Sequence, residues 1–196
     1  AHHGVPHETT PTGFKWICRV PNLGFGYEEA LGYAVAPHVV NDKDGLSAAV
    51  VIADLAAELK AEGSNLVEYL QELTGLVGAT ITDQISVQVP SPSVGSLLVD
   101  DLRTNPPLKL AQQSPVIAVD YANAQVELAQ RYGPMNMVEF STEGLVTARL
   151  MIRPSGTEPK VKCYVSVSAT PDTPFETVQA AMVDLREDAA NLVNVE

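Results

Sequence analysis

The chain of 196 residues holds only two cysteines, Cys18 and Cys163. Two thiols so far apart make no disulfide framework, and a reducing, cytoplasmic setting is expected from that usage. Cys163 lies within an apolar alternation and reads as a small buried hydrophobe. Long apolar runs are also missing: no stretch reaches about 18 residues, so no transmembrane helix is expected. The N-terminus shows no charged-then-apolar leader. Basic residues are scarce, with 12 Lys and Arg against 24 Asp and Glu and a formal net charge of −12. That balance argues against nucleic acid as a partner, because a phosphate backbone needs a basic face. Aromatics are only 6% of the chain, but the hydrophobic fraction of 45% can supply a core. The composition is that of a globular protein, with room for one large domain or two small ones.

Residues 1–11 carry His2, His3 and His7 with two prolines, and read as a ragged end, with metal binding by the histidines as the alternative. "TGFKWICRV" reads as a short strand, and "GFGYEEALGY" as strand or loop punctuated by glycine. "DKDGLSAAVVIADLAAELKAEG" predicts a helix capped by Asp42 or Asp44 and stopped by Gly63. Ser47, Asp54, Glu58 and Glu62 form one narrow polar stripe on it, so burial around most of its circumference is expected. Leu66, Tyr69, Leu70, Leu73, Leu76 and Val77 repeat at helical spacing and predict a second helix.

The texture then changes. "GATITDQISVQV" alternates like a strand, "SVGSLLVDDLR" suits a short helix closed by "NPP", and "VIAVDYANAQ" is strand-like. Val146, Ala148, Leu150 and Ile152 alternate with Thr147, Arg149, Met151 and Arg153. Val161, Cys163, Val165 and Val167 alternate with Lys162, Tyr164 and Ser166, which makes the two runs a hairpin. A last amphipathic helix places Phe175, Val178, Met182, Leu185, Ala189 and Leu192 on one side. The expected organisation is an α/β piece over residues 1–78, then an α+β domain over residues 79–196.

The tip of that hairpin holds the chemistry. Four of the 12 basic residues fall between Arg149 and Lys162, a local basic site on an acidic body. Arg153 can clamp two oxygens of one phosphate. Ser155 and Thr157 offer hydroxyl donors, and Gly156 permits a turn whose backbone N–H groups form an anion nest. Pro154 and Pro159 stiffen both sides. Lys160 and Lys162 add field, while Glu158 must point away. The alternative is an ordinary solvated hairpin turn.

The segment "RPSGTEPKVK" resembles the phosphate-binding loop in the last domain of the α-D-phosphohexomutases, the phosphoglucomutase and phosphomannomutase superfamily. "ETTPTGFKWI" resembles that family's Thr-Gly-aromatic-Lys segment. "GYEEALGY" followed by "DKDGLSAAV" resembles its sugar-binding loop and the Lys-Asp-Gly element after it. The resemblance implies an incomplete α/β third domain followed by a TBP-like α+β C-terminal domain. It implies that Arg153, Ser155, Gly156 and Thr157 grip the non-reacting phosphate of the sugar. Glu28 would accept hydrogen bonds from sugar hydroxyls, Gly13 and Lys15 would line the sugar pocket, and Lys43 would sit near the reacting phosphate. Glu29, next to Glu28, would face the other side of an extended segment. Ala30 stands where many members carry serine, and Tyr33 where some carry histidine.

The family reaction moves a phosphoryl group through a phosphoserine and a hexose 1,6-bisphosphate, with Mg²⁺ held by an Asp-Gly-Asp-x-Asp-Arg-like loop. Neither the serine loop nor the metal loop occurs here, so no metal ligands are assigned in this chain. The expectation is a C-terminal part of a mutase, partnered by phosphorylated sugar and by the N-terminal domains of the same polypeptide. A phosphopentomutase of the same family, or a non-catalytic phosphosugar-binding module, is the alternative. A dinucleotide site is excluded, since "GFGYEE" offers only the first two glycines of its fingerprint, and no P-loop lysine pattern occurs.

Overall fold

A computed structural model describes residues 4–28, 31–156 and 158–194. The chain divides into two units, residues 1–73 and 74–196.

The first unit starts with α1 (Phe14–Ile17), followed by a hairpin of β1 (Gly26–Glu28) and β2 (Gly32–Ala34). "TGFKWICRV" is therefore helical at its centre rather than a strand. Phe14 and Ile17 lie three residues apart and share one helical face, which is buried with Ala34 in a small core. Burying that pair outweighs the alternating appearance of the segment. The hairpin approaches this core through glycine: a Cβ on Gly26 would lie 2.5 Å from Ile17 Cγ2. Gly26, Glu28, Gly32 and Ala34 point to this side by strand alternation, while Tyr27 and Tyr33 pair on the other with ring centroids 5.5 Å apart.

Helix α2 (Gly45–Ala61) follows, with Asp44 as its N-cap, accepting from the Leu46 N–H at 3.0 Å and from the Ser47 hydroxyl. The Ser47 hydrogen bond, first among the causes, holds the Asp44 carboxyl below the usual carboxylate range. Gly63, at φ +82°, ends the helix, and Ser64 N–H returns to the Leu59 carbonyl at 2.8 Å. The expected burial around α2 is not what the structure has. Leu59 is its one buried residue among those described, and Leu46 and Val50 are 83% and 69% exposed. The reason is one of area: the only described sheet of this unit has two short strands, too few to cover a helix apolar on several sides. Helix α3 (Leu66–Val77) has Asn65 accepting from the N–H groups of Val67 and Glu68 at 3.0 and 3.1 Å.

The second unit is an antiparallel five-stranded sheet. Its strands are β3 (Thr80–Gln88), β4 (Ile117–Asp120), β5 (Val138–Ser141), β6 (Val146–Pro154) and β7 (Lys160–Ala169), in spatial order β3-β7-β6-β5-β4. Helix α4 (Pro92–Thr104) precedes β4, the short α5 (Glu127–Tyr132) precedes β5, and α6 (Phe175–Val193) closes the unit. This is an α+β domain, as expected. Ala148, Leu150 and Ile152 of β6 and Val161, Cys163, Val165 and Val167 of β7 are buried with Val99 and Leu102 of α4 and Val178, Leu185 and Ala189 of α6. Period-2 alternation therefore sends every second residue of the β6–β7 hairpin, Arg153 and Tyr164 included, to the face opposite that core. Along α6 the buried stripe runs through Val193, while Phe175 stays half exposed. Among the described helices none is long and apolar enough to cross a membrane.

Candidate functional site

The hairpin tip is held by its own backbone. Ser155 N–H donates to the Lys160 carbonyl at 2.8 Å, and Lys160 N–H to the Glu158 carbonyl at 2.8 Å. The Pro159 carbonyl accepts from Val89 N–H at 2.9 Å, which ties the tip to the segment after β3. Ser155 Oγ accepts from the Glu158 N–H at 3.3 Å, so its hydroxyl hydrogen remains available to another acceptor. Gly156 has open space where a side chain would project. Thr157 lies outside the described residues. Glu158 does turn to a neighbouring cation, with Oε1 3.1 Å from Lys160 Nζ.

Arg153 closes the arrangement from the strand end. In register it stands opposite Lys162, two cations facing each other across the hairpin. Such a pair is unfavourable unless something negative lies nearby. Three other arginines of this unit hold carboxylates: Arg149 holds Glu139, Arg103 holds Asp100 and Asp120, and Arg186 holds Asp83. Arg153 instead donates from Nε and Nη2 to the hydroxyl of Tyr164, at 3.3 and 2.9 Å. Its guanidinium carbon lies 5.6 Å from that ring's centroid. Among the described residues neither Arg153 nor Lys162 has a carboxylate partner.

In the first unit, Gly13 is the N-cap of α1 at φ +113°, and Lys15, two residues further, has its Nζ 5.4 Å from the centroid of Trp16. Glu28 ends β1 on the same side of the hairpin as α1. Its Oε2 is buried without a hydrogen-bond partner among the described residues. A buried carboxylate oxygen with nothing donating to it is costly unless a donor arrives from outside. Lys43 is exposed, one residue before Asp44, whose N–H donates to the Tyr33 carbonyl of β2 at 2.8 Å. Gly13 and Lys15 thus belong to α1 and Glu28 lies on the hairpin side that packs against it, while Lys43 lies on the segment that Asp44 ties to β2. Arg153, Ser155 and Gly156 gather separately in the second unit. Glu29 and Ala30 lie outside the described residues.

Cavities elsewhere in the second unit are of another kind. One, of about 220 Å³, is lined by Leu102, Val138 and Phe140 with Arg103, each of whose nitrogens already donates, to Asp120, Asp100 and Asn136. Among the described residues no three His, Cys, Asp or Glu side chains converge as a metal site would require.

Residues 1–74 match the family model phosphoglucomutase/phosphomannomutase, alpha/beta/alpha domain III. A protein of Haemophilus influenzae named "Probable phosphomannomutase" is 38% identical over 187 residues, covering 93% of this chain and 37% of its own length. Residues 1–74 thus form a domain III of the phosphoglucomutase/phosphomannomutase family. Other members that the chain resembles include a phosphoglucomutase of Staphylococcus epidermidis, 28% identical over 186 residues, with 85% of this chain and 33% of that protein covered. A phosphopentomutase of Mus musculus is 32% identical over 194 residues, with 86% and 30% covered. The chain spans about a third of the length of the curated relatives it matches.

Reading the sequence missed Tyr164 as the partner of Arg153. The signal was there in the alternation: Arg153 and Tyr164 share a face on adjacent strands, and register places Tyr164 opposite Met151, one diagonal from Arg153. Strand register decides such a pair, and register is a property of the assembled sheet.

Proposed function

We propose that this chain supplies the sugar and phosphate grips of a phosphosugar mutase that interconverts hexose 1-phosphate and hexose 6-phosphate. The supporting observation is the pair Arg153 and Lys162, opposed in register without a carboxylate, beside the free hydroxyl hydrogen of Ser155 and the open Gly156. Two uncompensated cations and small donors at a braced hairpin tip suit a phosphate dianion. Thr157 would add a donor. Gripping the non-reacting phosphate lets binding energy far from the reacting end orient the sugar for transfer. In the first unit Glu28 would accept from sugar hydroxyls, which answers its unpartnered oxygen. Gly13 and Lys15 would line that pocket, and Lys43 would meet the reacting phosphate.

The reaction itself belongs to residues beyond this sequence. A phosphoserine, Mg²⁺ and a hexose 1,6-bisphosphate intermediate are what the family supplies to such an enzyme. The described acidic side chains do not converge to fit Mg²⁺, so no step is assigned to the metal here. The partners in this reading are the phosphosugar and the N-terminal domains of the same cytoplasmic polypeptide. The mouse relative named a phosphopentomutase makes a pentose phosphate the second reading.

The test is an assay of the full-length protein with glucose, mannose and ribose 1-phosphates side by side. Turnover of a hexose phosphate is expected, and turnover of ribose phosphate alone would transfer the assignment to pentoses. Arg153→Ala should lower kcat/KM by about 10- to 100-fold, the worth of charged hydrogen bonds. Full activity in that variant would overturn the phosphate grip, and no turnover of any sugar phosphate would overturn the mutase reading.

A further inference from the structure

A guanidinium has two edges that can grip a pair of oxygens. The side-on edge is made by Nε and Nη2, and the end-on edge by Nη1 and Nη2. Tyr164 occupies the first, its hydroxyl receiving Nε at 3.3 Å and Nη2 at 2.9 Å. Both Nη1 hydrogens and the second Nη2 hydrogen stay free among the described residues. Tyr164 is itself fixed, since β7 is paired on both sides, with β3 and with β6. Lys162, directly opposite Arg153, repels the guanidinium, while the Tyr164 hydroxyl and ring attract it along the diagonal.

We propose that Tyr164 is a positioning residue that takes the side-on edge of Arg153 and leaves the end-on edge to bind two phosphate oxygens. This rests on the reading of Arg153 as the phosphate grip. The physical benefit is preorganisation. An arginine side chain loses rotamer freedom when it binds an anion, and a hydroxyl that already holds one edge has taken that loss before the ligand arrives. The tyrosine hydroxyl is a neutral acceptor that leaves the guanidinium charge undiminished, which a carboxylate in its place would cancel. Arg149, bound through Nε and Nη2 to Glu139, shows the same edge closed by a carboxylate, and it is correspondingly committed to the fold.

The test uses the 196-residue chain and inorganic phosphate as the probe. Tyr164→Phe should weaken phosphate binding by about threefold to tenfold, the range of one neutral hydrogen bond, with an unchanged circular dichroism spectrum and Tm. In the Arg153→Ala background the same change should have no effect on residual binding. Nitrogen-resolved NMR of the Arg153 side chain supplies a readout that a merely structural role would not move. Phosphate should perturb the Nη resonances and leave Nε–H in place, while Tyr164→Phe should shift Nε–H without ligand. The proposal is overturned if phosphate moves Nε–H as strongly as Nη, or if Tyr164→Phe binds phosphate like the parent chain. If Arg153→Ala also binds phosphate like the parent, the phosphate reading falls with it, whereas loss in Arg153→Ala alone removes only the role of Tyr164.

Discussion

Gly78 stands against the carbonyl of Ala169 so closely that a Cβ on Gly78 would overlap the oxygen and lie 2.9 Å from the carbonyl carbon. The same residue has φ +89°, a conformation that L side chains rarely adopt. It sits where the chain leaves α3 and enters β3, next to the hydrogen bond from Ala169 N–H to the Ala79 carbonyl at 2.8 Å. Gly78→Ala therefore meets both a backbone clash and a strained φ. The expected loss is about 3 kcal/mol or more, seen as a fall in the denaturant midpoint of the second unit. A variant within experimental error of the parent would show that the close approach is not part of the fold.

Glu139 holds two partners with one carboxylate. Arg149 donates Nε to Oε1 at 2.9 Å and Nη2 to Oε2 at 2.8 Å, and the Tyr121 hydroxyl donates to Oε2 at 2.7 Å. The Glu139 side chain is only 12% exposed, so its loss cannot be repaired fully by water. Glu139→Gln should cost about 1 to 3 kcal/mol by denaturant titration. It should also change a titration. Burial first, and then the Glu139 hydrogen bond and charge, push the Tyr121 phenol up to about 12. Removing the carboxylate leaves Arg149 as a nearby cation, so ultraviolet titration should find this tyrosinate forming at lower pH. An unmoved titration would mean that Glu139 does not reach Tyr121 in solution.

Alkaline pH should unfold the second unit for the same kind of reason. Burial pushes the Cys163 thiol from 9.0 to about 12, alongside Tyr121, which rises from 10.0 to about 12. Both groups keep their protons in the folded state after the unfolded chain has released them. Their contribution is fully present below about pH 9 and is lost as pH rises toward 12. Thermal melts should be insensitive to these two groups near neutrality and should fall above about pH 9. Iodoacetamide should label Cys18 slowly, since burial and the charge of Asp42 both raise its pKa, and Cys163 only on unfolding. Labelling of Cys163 in the native chain at the rate of Cys18 would contradict its burial.

The turn at Ala111 and Gln112 carries strain that glycine would relieve. The two residues have φ +47° and +61°, and Leu110 and Gln113 exchange backbone hydrogen bonds of 3.0 and 2.9 Å around them. This is the mirror-image two-residue turn that favours Gly at its second position. Ala111 N–H is fixed by Asp188 Oδ2 of α6 at 2.7 Å, so the turn is anchored whatever its second residue. Gln112 is exposed and loses no packing. Gln112→Gly should raise stability by about 0.5 to 1 kcal/mol, the left-handed penalty less the extra entropy of an unfolded glycine. An unchanged or lower Tm would mean that the side chain of Gln112 does something the turn geometry does not reveal.

Much of the second unit could be read from residue order. The hairpin from Val146 to Ala169 announces itself because a strand with one covered face must alternate, and a core of Val, Ile and Leu leaves a long alternation. The position of the tip is legible too, since Pro154, Gly156 and Pro159 interrupt the alternation between the two strands. The short elements were hidden. At α1, four residues are too few to establish a period, and the helix forms because Phe14 and Ile17 find Ala34. Strand β5 is equally brief and takes its identity from pairing with β4 and β6.

By itself the sequence determined the alternation of β6 and β7, a capped start of α2 at Asp42 or Asp44, the glycine stop at Gly63 and the cluster of donor residues in the Arg153 loop. These follow from local rules: side-chain period, a short polar residue at a helix start, a positive φ. Only the tertiary structure decided that Arg153 rests on Tyr164 and faces Lys162, that Glu28 buries an oxygen without a hydrogen-bond partner among the described residues, and that α2 stays largely uncovered. Each of those depends on strand register or on how much surface a neighbouring layer offers. Neither is set by residues close together in the chain, because both arise when distant segments compete for the same surface.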